Sequence, residues 1–302
     1  MQKTPDEEDL IDFSHHVVAV IDVSGQRTYL EKMTSIPESP EEKALFTRNA
    51  QKTVGVVLKV RKKFREEYLK AFQGPSELDD RVAKVGEDAR GTWARLTDCK
   101  LRMQQFSDTV LLYSPLRTSY DDLTMRGVYA ILVAAGSVMV TGLGSGEFVL
   151  RGGIEVGLCT ELEENDIYGY PVLRAYELEH LVAGYPRIVI GQGVLRYLDA
   201  WEVTSETDAQ SEHNRELAEV CRHLMCHDQD GAVIVDFLGK GMYDLARTHT
   251  GLFDLTRQVA TKGREFVVRE HKRFADEGNH KLALKYALLR HYYDSRIGLW
   301  EA

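Results

Sequence analysis

The chain reads as an α+β protein with helices packed on one face of a mainly antiparallel sheet. Three observations predict that class. Val17-Val18-Ala19-Val20-Ile21 is a continuous β-branched run, the pattern of a buried strand. Two further strand-like runs flank Ser107-Asp108, which predicts a hairpin with a two-residue turn. The order along the first two-thirds is then β, long α, β-hairpin, α, β, α, β. A doubly wound parallel sheet needs a helix between all its strands, so the hairpin argues against it.

The first strand ends at Asp22, and the small residues Ser24 and Gly25 follow. Alone, Asp22 has two readings: a turn cap, or a carboxylate at a strand end placed to hold a divalent cation. Pro37 to Pro40 reads as a helix entry, with Ser39 as N-cap and Glu41-Glu42 in the first turn. A helix is expected from Glu41 to about Phe72, with Leu45, Ala50, Val54, Val57, Leu58, Val60, Phe64 and Leu69 on its apolar positions. Gly74-Pro75-Ser76 breaks it, and a more polar helix spans Leu78 to Leu96.

The hairpin covers Lys100 to Ser114 and carries Asp108 at its tip. Ser119-Tyr120-Asp121-Asp122 starts a helix that runs to about Val140. A Gly-rich loop is expected from Thr141, so the uncharged run Gly127 to Gly146 reads as a buried helix rather than a membrane span. Glu147 to Leu158 is a strand with adjacent glycines, a mark of close approach by another backbone or a ligand. Pro171 to Val182 is a helix and Pro186 to Gly191 a short strand. Beyond Thr204 helices span Glu212–Met225, Leu255–Phe274 and His280–Ile297, with one strand at Gly231–Phe237. The expected organisation is a tail over residues 1–14, a domain over 15–202 and a mainly helical extension over 203–302.

Composition bounds the function. Hydrophobic residues make up 43% and charged residues 28%, the balance of a globular protein. The net charge of −9 argues against recruitment of nucleic acid or anionic membrane by bulk attraction. Met1 to Leu10 carries no apolar run, so no signal peptide is expected, and a cytoplasmic protein with free thiols is. Cys99, Cys159, Cys221 and Cys226 form no C-x-x-C pair, and the histidines do not cluster with carboxylates at ligand spacing.

Asp22 ending a strand, Asp108 on a hairpin and Gly-Ile-Glu-Val-Gly at 153–157 come in that order. Asp166-Ile167-Tyr168-Gly169 follows, then Val172, Ala175 and Leu178-Glu179. At residues 15–202 this series resembles the class III nucleotidyl cyclases, the adenylate and guanylate cyclase superfamily. The resemblance implies a ferredoxin-like core with an antiparallel sheet. It implies Asp22 and Asp108 as metal ligands with the Val23 carbonyl, two Mn2+ or Mg2+ ions per site, and Ser24, Gly25 and Gln26 toward the phosphates. The chemistry suits those residue types, because hard divalent ions prefer carboxylate oxygen. It also implies a homodimer with active sites at the interface.

Departures accompany the likeness. The family's transition-state Asn falls at Leu173 and its Arg at Glu177, while the Lys of purine cyclases falls at Gln104. Arg174, Arg187 or Arg151 could supply the missing cation, and the sequence does not choose among them. The base-reading positions become Gln104 and Asp166. An amide carries both a donor and an acceptor, so Gln104 suits a pyrimidine edge, uracil or cytosine. Together with the insert between the aspartates, this looks like the bacterial Pycsar pyrimidine cyclases. That branch implies UTP (or CTP) as substrate and a separate cyclic-nucleotide-responsive effector in antiphage defence. A purine cyclase and a catalytically inactive nucleotide sensor are the alternatives.

Overall fold

The computed structural model describes residues 12–73, 100–118, 122–162, 166–248 and 251–301. The N-terminal tail to residue 11, the break at Gly74 to Ser76, the helix expected over 78–96 and Cys99 lie outside them.

Strand β1 (Ser14–Ser24) is followed by a short turn of helix, α1 (Arg27–Leu30). Helix α2 (Pro40–Ala50) begins where expected. The Ser39 hydroxyl accepts from the Glu42 N–H, and Glu42 accepts from the Ser39 N–H, a closed capping box behind Pro40 at N1. A π-helical turn (Gln51–Gly55) joins α2 to α3 (Val56–Gln73). Its extra residue rotates the helix face. The buried stripe of α3 is therefore Val57, Val60, Phe64, Tyr68 and Phe72, while Leu45, Val54, Leu58 and Leu69 are exposed. Half of the apolar positions expected to face the core do not.

The hairpin forms as expected from β2 (Arg102–Phe106) and β3 (Thr109–Pro115). Helix α4 (Arg126–Ser145) differs from expectation at both ends. It starts late because Arg117 and Leu123 bridge and the Thr118 N–H donates to the Asp122 carbonyl, closing a loop there. It runs on through Thr141 to Ser145 because its glycines serve packing rather than flexibility. A Cβ on Gly142 would come within 2.3 Å of Phe148, and one on Gly144 within 2.3 Å of Val259. α4 is long and apolar enough to cross a membrane, but it is mostly buried inside the protein.

β4 (Val149–Glu161) and β5 (Ile167–Gly169) precede α5 (Tyr170–Glu177), which ends in a second π-helical turn (Leu178–Val182). β6 (Ile188–Ile190) and α6 (Gln192–Glu202) follow. The rest comprises α7 (Ala209–His223), β7 (Met225–His227), β8 (Val233–Val235), α8 (Lys240–Arg247), α9 (Leu252–Asp276), α10 (His280–Asp294) and α11 (Gly298–Glu301).

Among the described residues the strands make one eight-stranded mixed sheet, ordered β2-β3-β1-β4-β6-β8-β7, with β5 also paired to β4. All described pairings are antiparallel except β4 with β6. The sheet does not stop at residue 202, because β8 and β7 extend it beyond β6. One main core draws on both the first 202 residues and the extension.

Alternation along β1 sets its two faces. Val17, Ala19, Ile21 and Val23 join the main core under α3 and α4. Burying each Val or Ile is worth about 1.5–3 kcal/mol. The Tyr68 hydroxyl bonds to the Ser114 hydroxyl at 2.9 Å and fixes α3 over β3. Val18 and Val20 face the other way, into a small cluster with Tyr113, Cys159 and Ala175 under α5. α5 lies close because Gly153 has no side chain. A Cβ there would meet the Ala175 carbonyl at 2.4 Å and Leu178 at 2.5 Å. The helices are therefore not confined to one face, although the two long early ones are.

Candidate active site

Register assembles the site. Asp22 pairs with Thr109 on one side and Arg151 on the other, and Phe106 pairs with Thr109. Alternation puts Phe106, Thr109, Asp22 and Arg151 in one cross-strand row on the face that α5 covers only in part. The β2–β3 turn bends over the end of β1, where the Val23 N–H donates to the Asp108 carbonyl at 3.1 Å. Asp22 and Asp108, far apart in sequence, thus share one end of the sheet, and both are half-buried.

A third carboxylate completes the charge pattern. Glu179, in the π-helical turn after α5, is 4% exposed. Arg151 Nη2 lies 2.5 Å from Glu179 Oε1 and 3.7 Å from Asp22 Oδ2. Burial pushes the Asp22 carboxyl up to about 6, helped by the negative charge of Glu179. Arg151 opposes the rise, Asp108 adds to it, and a hydrogen bond with Ser24 pulls the other way. Three acids against one guanidinium leave negative charge that a divalent cation would neutralise. The donor set is all oxygen, which fits an ion of the Mg or Mn kind. Among the described residues no group of three or more His, Cys, Asp or Glu forms a metal cage. An ion here would rest on Asp22 and Asp108, with main-chain oxygen and solvent completing its shell.

The turn after β1 is partly as expected. Gly25 adopts φ +89° with open space where a Cβ would stand, so the main chain is approachable. Gln26 differs. The residue is 5% exposed, its Oε1 meets no hydrogen-bond partner among the described residues, and its carbonyl starts α1 by accepting from Tyr29 and Leu30. Gln26 as a whole is buried, so it offers little to a ligand from outside.

Gln104 and Asp166 meet. Gln104 Nε2 donates to Asp166 Oδ1 at 2.7 Å. Beside them is a cavity of about 420 Å3 lined by Gln104, Gln105, Phe106, Thr109, Leu111 and Asp166. It combines apolar side chains with an amide and a carboxylate. Gln104 lies two residues before the end of β2 and Asp108 in the turn beyond it, about 7–10 Å along the hairpin at strand spacing.

The three arginines separate. Arg151 stands beside Asp22. Arg174 on α5 pairs with Glu177 at 2.9 Å and is half-exposed next to Leu173. Arg187 is buried in a joint with Asp228 and Asp230, away from Asp22. Glu179 was visible in the sequence only as the end of the Leu178-Glu179 signature. Lys285 on α10 carried no local signal, yet Arg151 and Asp22 both act on its charge.

Compared with known proteins, the chain matches no model of a protein family, and no curated protein matches it at a significant level.

Proposed function

We propose that the protein is a metal-dependent pyrimidine nucleotide cyclase that converts UTP to cyclic UMP and pyrophosphate. The observation that carries the reading is the β1–hairpin register, which brings Asp22 and Asp108 to one end of the sheet. The order β-α-β-β-α-β with strands β2-β3-β1-β4 antiparallel supports it, since that is the ferredoxin-like arrangement of the class III cyclase core the sequence resembles.

In the reaction the ribose 3′ oxygen bonds to the α-phosphorus, the bond from that phosphorus to the bridging oxygen breaks, and pyrophosphate leaves. The hydroxyl proton passes to solvent. Two Mn2+ or Mg2+ ions, when bound, supply the lowered hydroxyl pKa and the neutralised leaving group. Asp22 and Asp108 hold that end of the substrate, and the Ser24-Gly25 main chain faces the phosphates. Arg151 orients Asp22 and offsets charge as the leaving group departs. Gln104 and Asp166 read the base. The Asp166 carboxylate accepts from uracil N3–H or the cytosine amino group, so CTP is the competing substrate.

Exposed Tyr168, Tyr170, Leu173, Tyr176 and Leu181 around α5 form apolar surface suited to a second copy, which would make the site a homodimer interface. A cytoplasmic role in antiphage defence, through a separate effector that senses the cyclic nucleotide, completes the proposal.

Incubation with each of the four nucleoside triphosphates and Mn2+, with products identified by mass, tests it. Cyclic UMP and pyrophosphate from UTP are expected, and Asp22→Ala or Asp108→Asn abolishes them. Cyclic CMP moves the base assignment, and product from ATP or GTP replaces pyrimidine by purine. No turnover favours a second reading, a cyclase-like nucleotide sensor. Leu173 and Glu177 at the family's Asn and Arg positions motivate that reading, as does Arg187 being held in a joint.

A further inference from the structure

Arg151 and Asp22 stand directly opposite each other on β4 and β1. Opposite charges at such positions ordinarily meet, because the two side chains leave neighbouring strands side by side. Here they do not close. Arg151 Nη2 is 3.7 Å from Asp22 Oδ2, beyond hydrogen-bond range, and 2.5 Å from Glu179 Oε1. One nitrogen faces both carboxylates, so closing on one opens the other.

The fold builds Glu179 into that place. It sits in the π-helical turn (Leu178–Val182) that follows α5, and the extra residue of such a turn changes which side chain meets the sheet. Gly153 lets the turn come down onto β4: a Cβ there would lie 2.5 Å from Leu178 and 3.0 Å from the Glu179 nitrogen. Glu179 is buried as a result, and a buried carboxylate needs a partner. Arg151 is that partner. Asp22 is only half-buried and keeps a side open to solvent.

We infer that Glu179 is a positioning residue. It draws the Arg151 guanidinium off Asp22 and so keeps that carboxylate open to a divalent cation, where a cross-strand salt bridge would otherwise close it. The inference rests on the proposed reading in taking Asp22 as a cation ligand. It gives the third acid a role other than ligation: Glu179 competes for the arginine and not for the ion.

Titration calorimetry of the full chain with Mn2+ tests this through a double-mutant cycle of Glu179→Gln and Arg151→Gln. Glu179→Gln alone should weaken Mn2+ binding about tenfold, because the ion must then displace Arg151 from Asp22. The double variant should recover most of that loss. If Glu179 were simply one more negative charge near the ion, its removal would weaken binding by the same factor with or without Arg151. That additive result overturns the inference. Unchanged binding in Glu179→Gln overturns it too, as does absence of binding by the wild-type chain at millimolar Mn2+. Thermal melts in EDTA show which variants fold. Should Glu179→Gln fail to fold, Glu179→Asp keeps the charge, shortens the reach and runs the same cycle with a smaller expected loss. Nucleotide turnover separates the two readings. If Mn2+ binding shows the coupling and no nucleotide is turned over, the positioning role stands and the cyclase reading falls. If cyclic nucleotide forms and the cycle is additive, only this inference falls.

Discussion

Arg187 and Arg151 are both guanidiniums flanked by two carboxylates, and their surroundings differ in kind. Arg187 is fully engaged. Its Nε donates to the Ala183 carbonyl at 2.9 Å and its Nη2 to the Val182 carbonyl at 2.8 Å. Its two Nη groups grip Asp228 and Asp230, and the Tyr185 ring lies under it at 4.8 Å. Arg187 holds the Asp230 carboxyl below the usual carboxylate range. Arg151 has a buried Nε without a partner among the described residues, and beside it three acids crowd together. One is a closed joint in which every guanidinium nitrogen donates a hydrogen bond. The other is balanced only when something is added. Charge count and hydrogen-bond closure, rather than the presence of ion pairs, separate structure from site.

The widest expected gap comes from breaking the closed joint. Arg187→Ala strands Asp228, which is nearly buried, and should cost about 3–5 kcal/mol, read as a fall in the urea midpoint. The open site should behave oppositely. Asp22→Asn removes one of three crowded negative charges, so stability at neutral pH should rise by about 1–2 kcal/mol while Mn2+ binding by calorimetry is lost. A stability loss at Asp22 comparable to that at Arg187 would erase the distinction.

A third guanidinium sharpens the contrast through pH. Arg126 Nη1 donates to the Phe72 carbonyl at the end of α3, at 2.5 Å. Beside it, burial and then the Arg126 charge push His213 down to about 4. The folded value lies below the unfolded one, so the unfolded chain takes up the proton first. Stability is therefore complete above about pH 6.5 and falls as pH drops toward 4, by about 2 kcal/mol at pH 5. Urea midpoints across that range should show the slope, and His213→Gln should flatten it. No such slope would mean that His213 reaches solvent when protonated.

What the sequence revealed follows from how local each signal is. The β1 run, the N-cap at Ser39 and the hairpin at Ser107-Asp108 are written within a few neighbouring residues, and they formed. No element was expected between Gly191 and Thr204, yet α6 forms there with Val194, Tyr197, Leu198 and Trp201 at helical spacing and with Gly191 and Gly193 at its start. They are glycines for a tertiary reason: the buried Glu155 carboxylate sits against both and accepts the Val194 N–H at 3.2 Å. The face of α3 was misjudged because nothing local announces a π-turn. At the site, the two aspartates and the Gln104–Asp166 positions were legible as turn and motif residues. Arg187 was not, because only the fold brings Asp228 and Asp230 to it.

Backbone strain offers the finest test. Ser107 holds φ +56°, and among the described residues no other non-glycine residue has positive φ. Positive φ at the first central residue alone marks a type II′ turn, where glycine is usual. Serine there costs about 1–2 kcal/mol, and glycine's greater freedom when unfolded takes back about half of that relief. Ser107 is exposed, so little packing is lost. Ser107→Gly should therefore raise stability by about 0.5–1 kcal/mol. The same change gives the tip more conformers and leaves Asp108 less fixed against β1, so Mn2+ affinity should fall a few-fold. Opposite signs in the two measurements would tie the strain to the placement of Asp108. A gain in stability with Mn2+ binding unchanged would make Ser107 an ordinary turn residue and leave Asp22, Glu179 and Arg151 as the whole of the imbalance.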